Sequence, residues 1–374
     1  MQQVNAAVAA GTWPSPPAPH LYGWGLNTPY GQLGLGNTTN YSSPKQIGSL
    51  STWSNIAAGS LHSLATKTDG TLWAWGANFS GQLGNGATST VVSPIQIGAL
   101  TNWLTVAGGN YSSAAIKTDG TLWTWGRNSY GALGLGNTTY YSSPKQVGAL
   151  TNWLKVVGRY SSFLSIKTDG TLWTWGYNST GQLGLGNTTN YSSPKQVGSL
   201  TTWLNIASGQ YSSYAIKTDG TLWVWGRNAS GELGLGNLTY YSSPKQVGAL
   251  TNWATLPNRS FPAGQSAFGA IKTDGTLWTW GGNNVGQLGI GNTTAYSSPK
   301  QVGLLTTWLS LSCGYRNAQA IKTDGTLWAW GYNNDGQLGF GNTTNYSSPK
   351  QVGSLTTWSK ITSGRLFYLG IATT

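Results

Sequence analysis

Residues 67–84 read KTDGTLWAWGANFSGQLG, and the same stretch returns with small changes along the whole chain. KTDGTLW begins at Lys67, Lys117, Lys167, Lys217, Lys272 and Lys322, a spacing of 50 residues interrupted once by 55. GQLG or a close variant begins at Gly31, Gly81, Gly131, Gly181, Gly231, Gly286 and Gly336, so seven copies fit in 374 residues. A fixed period of ~50 residues marks an array whose units bury their faces only against one another.

Each unit reads as four short strands, like NWLTVAG, SSAAIKT, TLWTWG and SPKQVG. They are rich in β-branched and aromatic residues and bounded by Gly, Pro, Asn and Asp. TDG makes a tight hairpin turn in which Gly supplies the positive φ. A long glycine-rich loop, GxNxxGQLGLGNTTxYSSP, separates the third strand from the fourth. Four strands in 50 residues make a propeller blade, so the chain is expected to be all-β, a seven-bladed β-propeller over residues 20–374. It enters at a third strand (Leu21–Gly25) and leaves after a second strand (Leu366–Thr374). Pairing those two segments completes the last blade and leaves no open sheet edge.

The 21 tryptophans follow the repeat. Two lie in each LWxWG strand, on one face because they are two residues apart. Seven more fill the TxW or NxW position, and only Trp13 lies outside the repeat. The repeated set reads as core, because rings this large remove roughly 150–250 Å² each from water.

Charge is sparse: charged residues are 7% of the chain and the net charge is +12. Six of the eight acids stand in KTDGT turns, each two residues after a lysine, and those charges cancel. The excess comes from six PKQ lysines, Lys155, Lys360 and six arginines, against only Glu232 and Asp335. It is dispersed, without the basic run of a nucleic-acid-binding segment. Cys313 is alone and only His20 and His62 are available, so neither a disulfide framework nor a metal site is expected. No stretch approaches ~18 uninterrupted apolar residues, so no membrane insertion is expected. The N-terminus MQQVNAAVAAGTWPSPPAPH lacks the basic start and long apolar centre of a secretory signal.

IAAG or ITSG, followed by HSLATKTDGTLWAWGANFSGQLG, resembles the repeat of the regulator of chromosome condensation family, from about Leu21 to Thr374. The chain looks like a divergent bacterial or phage-like member. The resemblance implies a seven-bladed ring closed between the termini. It also implies a two-faced disc: in the best-known member one face binds a small nuclear GTPase and promotes nucleotide exchange, and the other binds nucleosomes. The family's second-strand histidine survives here only as His62, and few acids lie outside the repeated turn.

Nothing points to a catalytic residue, a cofactor or a bound metal. A triad would need a base held by an acid beside a nucleophile, and His62 fills a strand slot that other blades fill with Ser, Ala, Asn or Phe. GLGNTT lacks the Lys-Ser/Thr and helix of a phosphate-cradling loop. The residues that break the repeat are more informative. Arg127 and Arg227 follow WG at the head of the long loop; Arg159, Arg316 and Arg365 lie between first and second strands; and Arg259 lies in a five-residue expansion of that loop. In an antiparallel blade both loops emerge on one face of the disc. With Tyr177 and Tyr332 they form a candidate binding face suited to a protein, an anionic surface or a glycan. Residues 1–19 read as a proline-stiffened arm, with Val4, Ala7, Val8 and Trp13 as a candidate tether to a larger assembly. The leading expectation is a non-enzymatic binding or display module of a virion or other extracellular assembly. An intracellular scaffold for a GTPase or chromatin, and a lectin, are the alternatives.

Overall fold

The computed structural model describes residues 18–158, 160–257 and 267–373. It contains seven four-stranded antiparallel sheets. Blades 1 to 6 begin at Trp53, Trp103, Trp153, Trp203, Trp253 and Trp308 and run in chain order from inner to outer strand. In blade 2 these strands are Trp103–Gly108, Ser112–Lys117, Leu122–Gly126 and Tyr141–Gln146. Blade 7 is composite: Trp358–Ser363 and Phe367–Thr373 supply its inner strands, and Pro19–Gly25 and Tyr41–Gln46 its outer ones.

The closing strand is longer than expected, because Pro19 and His20 also pair, opposite Thr373 and Ala372. Proline is tolerated there because it is the first residue of its strand. Register runs unbroken from Pro19↔Thr373 to Gly25↔Phe367, so the seam is a full strand pair.

The core lies between blades. Seven apolar clusters each join one blade's face to the next. In one, Leu64, Leu72, Leu83 and Ile97 of blade 1 meet Trp103, Ala115 and Trp125 of blade 2. The second tryptophan of each third strand, from Trp24 to Trp330, is 0% exposed. Its indole N–H crosses the interface to a backbone carbonyl of the preceding blade's GQLG loop. Trp75 donates to Gln32 O at 2.9 Å, Trp125 to Gln82 O at 2.9 Å and Trp24 to Gln337 O at 3.1 Å. The second glycine of LGLGN crosses outward, as Gly136 N donates to Ser192 O at 2.8 Å. Each interface therefore combines aromatic burial with directed hydrogen bonds that fix the register between blades.

The first tryptophan of each third strand departs from the expectation of core. Trp73, Trp123, Trp173, Trp223, Trp278 and Trp328 are only partly buried. They stand at the rim, next to the TDG turn. The indole of Trp123 donates to Thr121 Oγ1 at 2.9 Å, and the Lys117 ammonium lies 4.0 Å from its ring centroid. Asp119 instead accepts from Thr121 N (2.9 Å) and Thr121 Oγ1 (2.6 Å), which holds its carboxyl below the usual range. The lysine and aspartate of this KTDGT turn thus serve different partners, a ring face and a turn.

Candidate binding face

The loops between inner and second strands, and between third and outer strands, leave each blade at one end; the TDG turns leave at the other. The long loop is stiffened by the asparagine of GxN. Asn128 accepts from Leu133 N at 2.8 Å and donates to Asn137 O and Thr139 O at 3.0 and 2.9 Å. This buried staple makes a glycine-rich loop a fixed platform, and the sequence reading assigned it no such role. The inner loops are joined in turn around the axis, with Arg365 N donating to Ser60 O and Tyr315 N to Arg365 O.

Arg127, Arg227, Arg316 and Arg365 all stand on this face. Arg159, Arg259 and the arm residues Val4, Ala7, Val8 and Trp13 lie outside the described residues. The four differ in freedom. Arg127 donates from Nε to Ser129 Oγ at 3.0 Å and lies over the Tyr111 ring. Arg227 is partly committed inward: its guanidinium is 4.0 Å from Glu232, and their side chains are 23% and 1% exposed. Burial raises the Glu232 pKa, with Arg227 opposing the shift. In the other blades that carboxylate's place is filled by glutamine, or by alanine at Ala132.

Arg316 and Arg365, on blades 6 and 7, flank one ring. Their guanidinium carbons lie 5.2 and 5.9 Å from the centroid of Tyr315. Tyr332 meets Tyr315 edge-on at 6.3 Å. Arg316 has a left-handed backbone, φ 58°, and its Nε is buried without a hydrogen-bond partner. Burial also raises the pKa of nearby Asp335. Elsewhere aromatic rings bridge blades. Tyr177 lies 4.7 Å from Tyr130 and 6.2 Å from Tyr211, which in turn meets Tyr160. Phe79 meets Tyr30 and Tyr111. Phe79 and Tyr130 are each 47% exposed. These chains join residues of different repeats, so only the three-dimensional ring reveals them.

His62 is fully buried, with Nε2 3.0 Å from Ser113 Oγ; that hydroxyl donates to Gln82 O at 2.7 Å. The pair is sealed between blades, inaccessible to a substrate. Cys313 is also buried, its thiol pushed up to about 12. Among the described residues no three His, Cys, Asp or Glu side chains could hold a metal ion.

The family model described as the Regulator of chromosome condensation (RCC1) repeat matches residues 20–66, 69–116, 119–161, 169–216, 219–256, 274–321 and 324–369. The chain belongs to the RCC1 repeat family. Solved structures carry the same fold. Human WBSCR16 superposes with a TM-score of 0.84 at 20% identity, covering 96% of this chain and 99% of that one. Prp20p of Saccharomyces cerevisiae, studied for its binding to Gsp1p and histones, gives 0.83 at 19% identity, covering 96% and 92%. Yeast RCC1 (Prp20) bound to Kap60 gives 0.83 at 18%, covering 96% and 90%. Likeness at this level of identity concerns fold, so the RCC1-repeat ring is common property while each face is the chain's own.

Proposed function

We propose that this RCC1-repeat chain is an intracellular interaction scaffold that holds an acidic protein surface on its arginine–tyrosine face. The observation that carries the reading is the Arg316–Tyr315–Arg365 arrangement, two guanidiniums on neighbouring blades flanking one ring. Ring contact leaves guanidinium N–H groups to meet a carboxylate, and Arg and Tyr are enriched among interface hot spots. The family and its relatives support a scaffold over the virion component expected from composition, since Prp20p is a protein-binding propeller. A basic partner such as a histone fits this face less well, because Glu232 is buried beside Arg227 and Asp335 is its other acid. The exposed Phe79 and Tyr130 rings favour a glycan as the second reading.

The test compares wild type with R316A/R365A as bait in an extract, washed over a series of salt concentrations. The wild type should retain an acidic partner whose binding weakens as salt rises, and the double variant should lose it, by about tenfold or more if each arginine contributes ~1 kcal/mol. Equal capture by both baits sinks the reading. Retention of an oligosaccharide on a glycan array, lost in Y130A, would favour the lectin instead.

A further inference from the structure

The inner strands enclose a cavity of 380 Å³ on the propeller axis, lined from blades 1 to 5 and blade 7. One repeat position, two residues after the inner-strand tryptophan, supplies much of its polar lining. Blades 1 and 4 place asparagine there (Asn55, Asn205), and blades 2 and 5 place threonine (Thr105, Thr255). Blades 3 and 7 place Lys155 and Lys360, in the same register against the second strand, opposite Ile166 and Ile371. In a seven-membered ring these blades stand on roughly opposite walls, so two ammonium groups enter one cavity.

Their partners are all neutral. Lys155 Nζ donates to Leu204 O at 2.8 Å, and Lys360 Nζ to Ser54 O and to Asn55 Oδ1 at 2.5 and 2.8 Å. Among the described residues no acid lines the cavity. The Thr105 hydroxyl, at the same position in blade 2, is buried without a hydrogen-bond partner. Burial pushes the pKa of both lysines down, as expected for ammonium groups taken partly out of water without a counter-charge. Elsewhere the chain places lysine over aromatic rings, as at Lys117, or out on the outer strands; here two converge on neutral dipoles.

We propose that the axial cavity is a binding site for a compact multivalent oxyanion, a phosphate ester or a di- or tricarboxylate, held between Lys155 and Lys360. Its volume admits a small metabolite-sized anion. Of the lining residues Leu154, at the start of its inner strand near the TDG end, stands exposed. This site is separate from the arginine–tyrosine face, and either reading can fail alone.

The probes are inorganic pyrophosphate and citrate, titrated calorimetrically into the full chain prepared in low-salt buffer free of phosphate. At least one should bind with one site per chain and raise the melting temperature. K155N/K360N, which installs the residue blades 1 and 4 already use, should weaken binding at least tenfold, while K155R/K360R should retain it. Replacing two outer-strand lysines (K145N/K195N) should change nothing. Failure of both probes to bind overturns the proposal, as does unchanged binding in K155N/K360N. An equal loss in K145N/K195N also overturns it, because the anions then see only the overall positive field. If the lysines serve only to cap carbonyls, K155N/K360N will melt lower without anion and no probe will shift the wild type.

Discussion

At the level of single residues, Glu232 is where one side chain most clearly departs from its repeat. The glutamine at this place in blade 1 accepts from Ser80 N through Gln82 Oε1 at 2.9 Å, and Glu232 Oε2 accepts from Ser230 N at 2.7 Å. The geometry is kept and a charge is added in a site 1% exposed. Burial raises the carboxyl's pKa in the folded state, so the folded chain binds its proton more readily than the unfolded chain. Stability tied to this proton is present below the unfolded pKa and is lost as pH rises through the folded one. Glu232→Gln should therefore stabilise the protein at pH 7, by on the order of 1 kcal/mol after losing the partly exposed Arg227 contact. The advantage should vanish as pH falls into the carboxylate range. Urea melts at pH 7 and pH 4 check this, and a variant less stable at pH 7 would mean that the Arg227 contact outweighs desolvation. The common face of Arg127, Arg227, Arg316 and Arg365 was legible in the sequence because each breaks a strict repeat at a loop of the same end. Their partners were not. The Arg227–Glu232 contact depends on a loop folded around Asn228, and the two guanidiniums at Tyr315 come from different blades.

At the level of elements, the four strands of each blade were legible from the 50-residue spacing, because alternation, TDG turns and glycine loops agree on one answer. The rim position of the first tryptophan was not, since a period of two separates the faces of a strand but not its ends. Two glycines show how differently one residue type is held. Gly84, φ +81°, lies where an added Cβ would come 2.7 Å from the buried Trp125 Nε1; at Gly98, φ +63°, it would meet nothing within 4 Å. Gly98→Ala should cost only the left-handed backbone strain, about 1 kcal/mol. Gly84→Ala adds overpacking of the indole that bridges to Gln82 O, so its cost should be ~2–4 kcal/mol. Chemical denaturation of the two variants checks the ordering, and equal costs would show that the interface yields where it is drawn tight.

Over the whole molecule, the ring is held by one strand pair that joins its ends. Deleting residues 367–373 removes the partner of Pro19–Gly25 and bares the edges of Pro19–Gly25 and Trp358–Ser363. Unpaired edges recruit other chains. The truncated chain should therefore aggregate or lose its cooperative melt, as read by light scattering and calorimetry; a monomeric, fully cooperative product would show that the seam is dispensable. The tryptophan arrangement also makes ring closure optically visible. Fourteen of the twenty described indoles lie at an interface between blades, seven from the inner strands and seven from the third strands; the latter seven are 0% exposed, one of them, Trp24, at the seam itself. The six at the rim are open enough for a diffusing quencher to reach. In an intact disc, acrylamide should thus dim only a minority of the emission, leaving a dark-resistant fraction that reports every interface at once. Opening at any one interface converts part of that fraction, so the protein carries an intrinsic fluorescence gauge of its own closure.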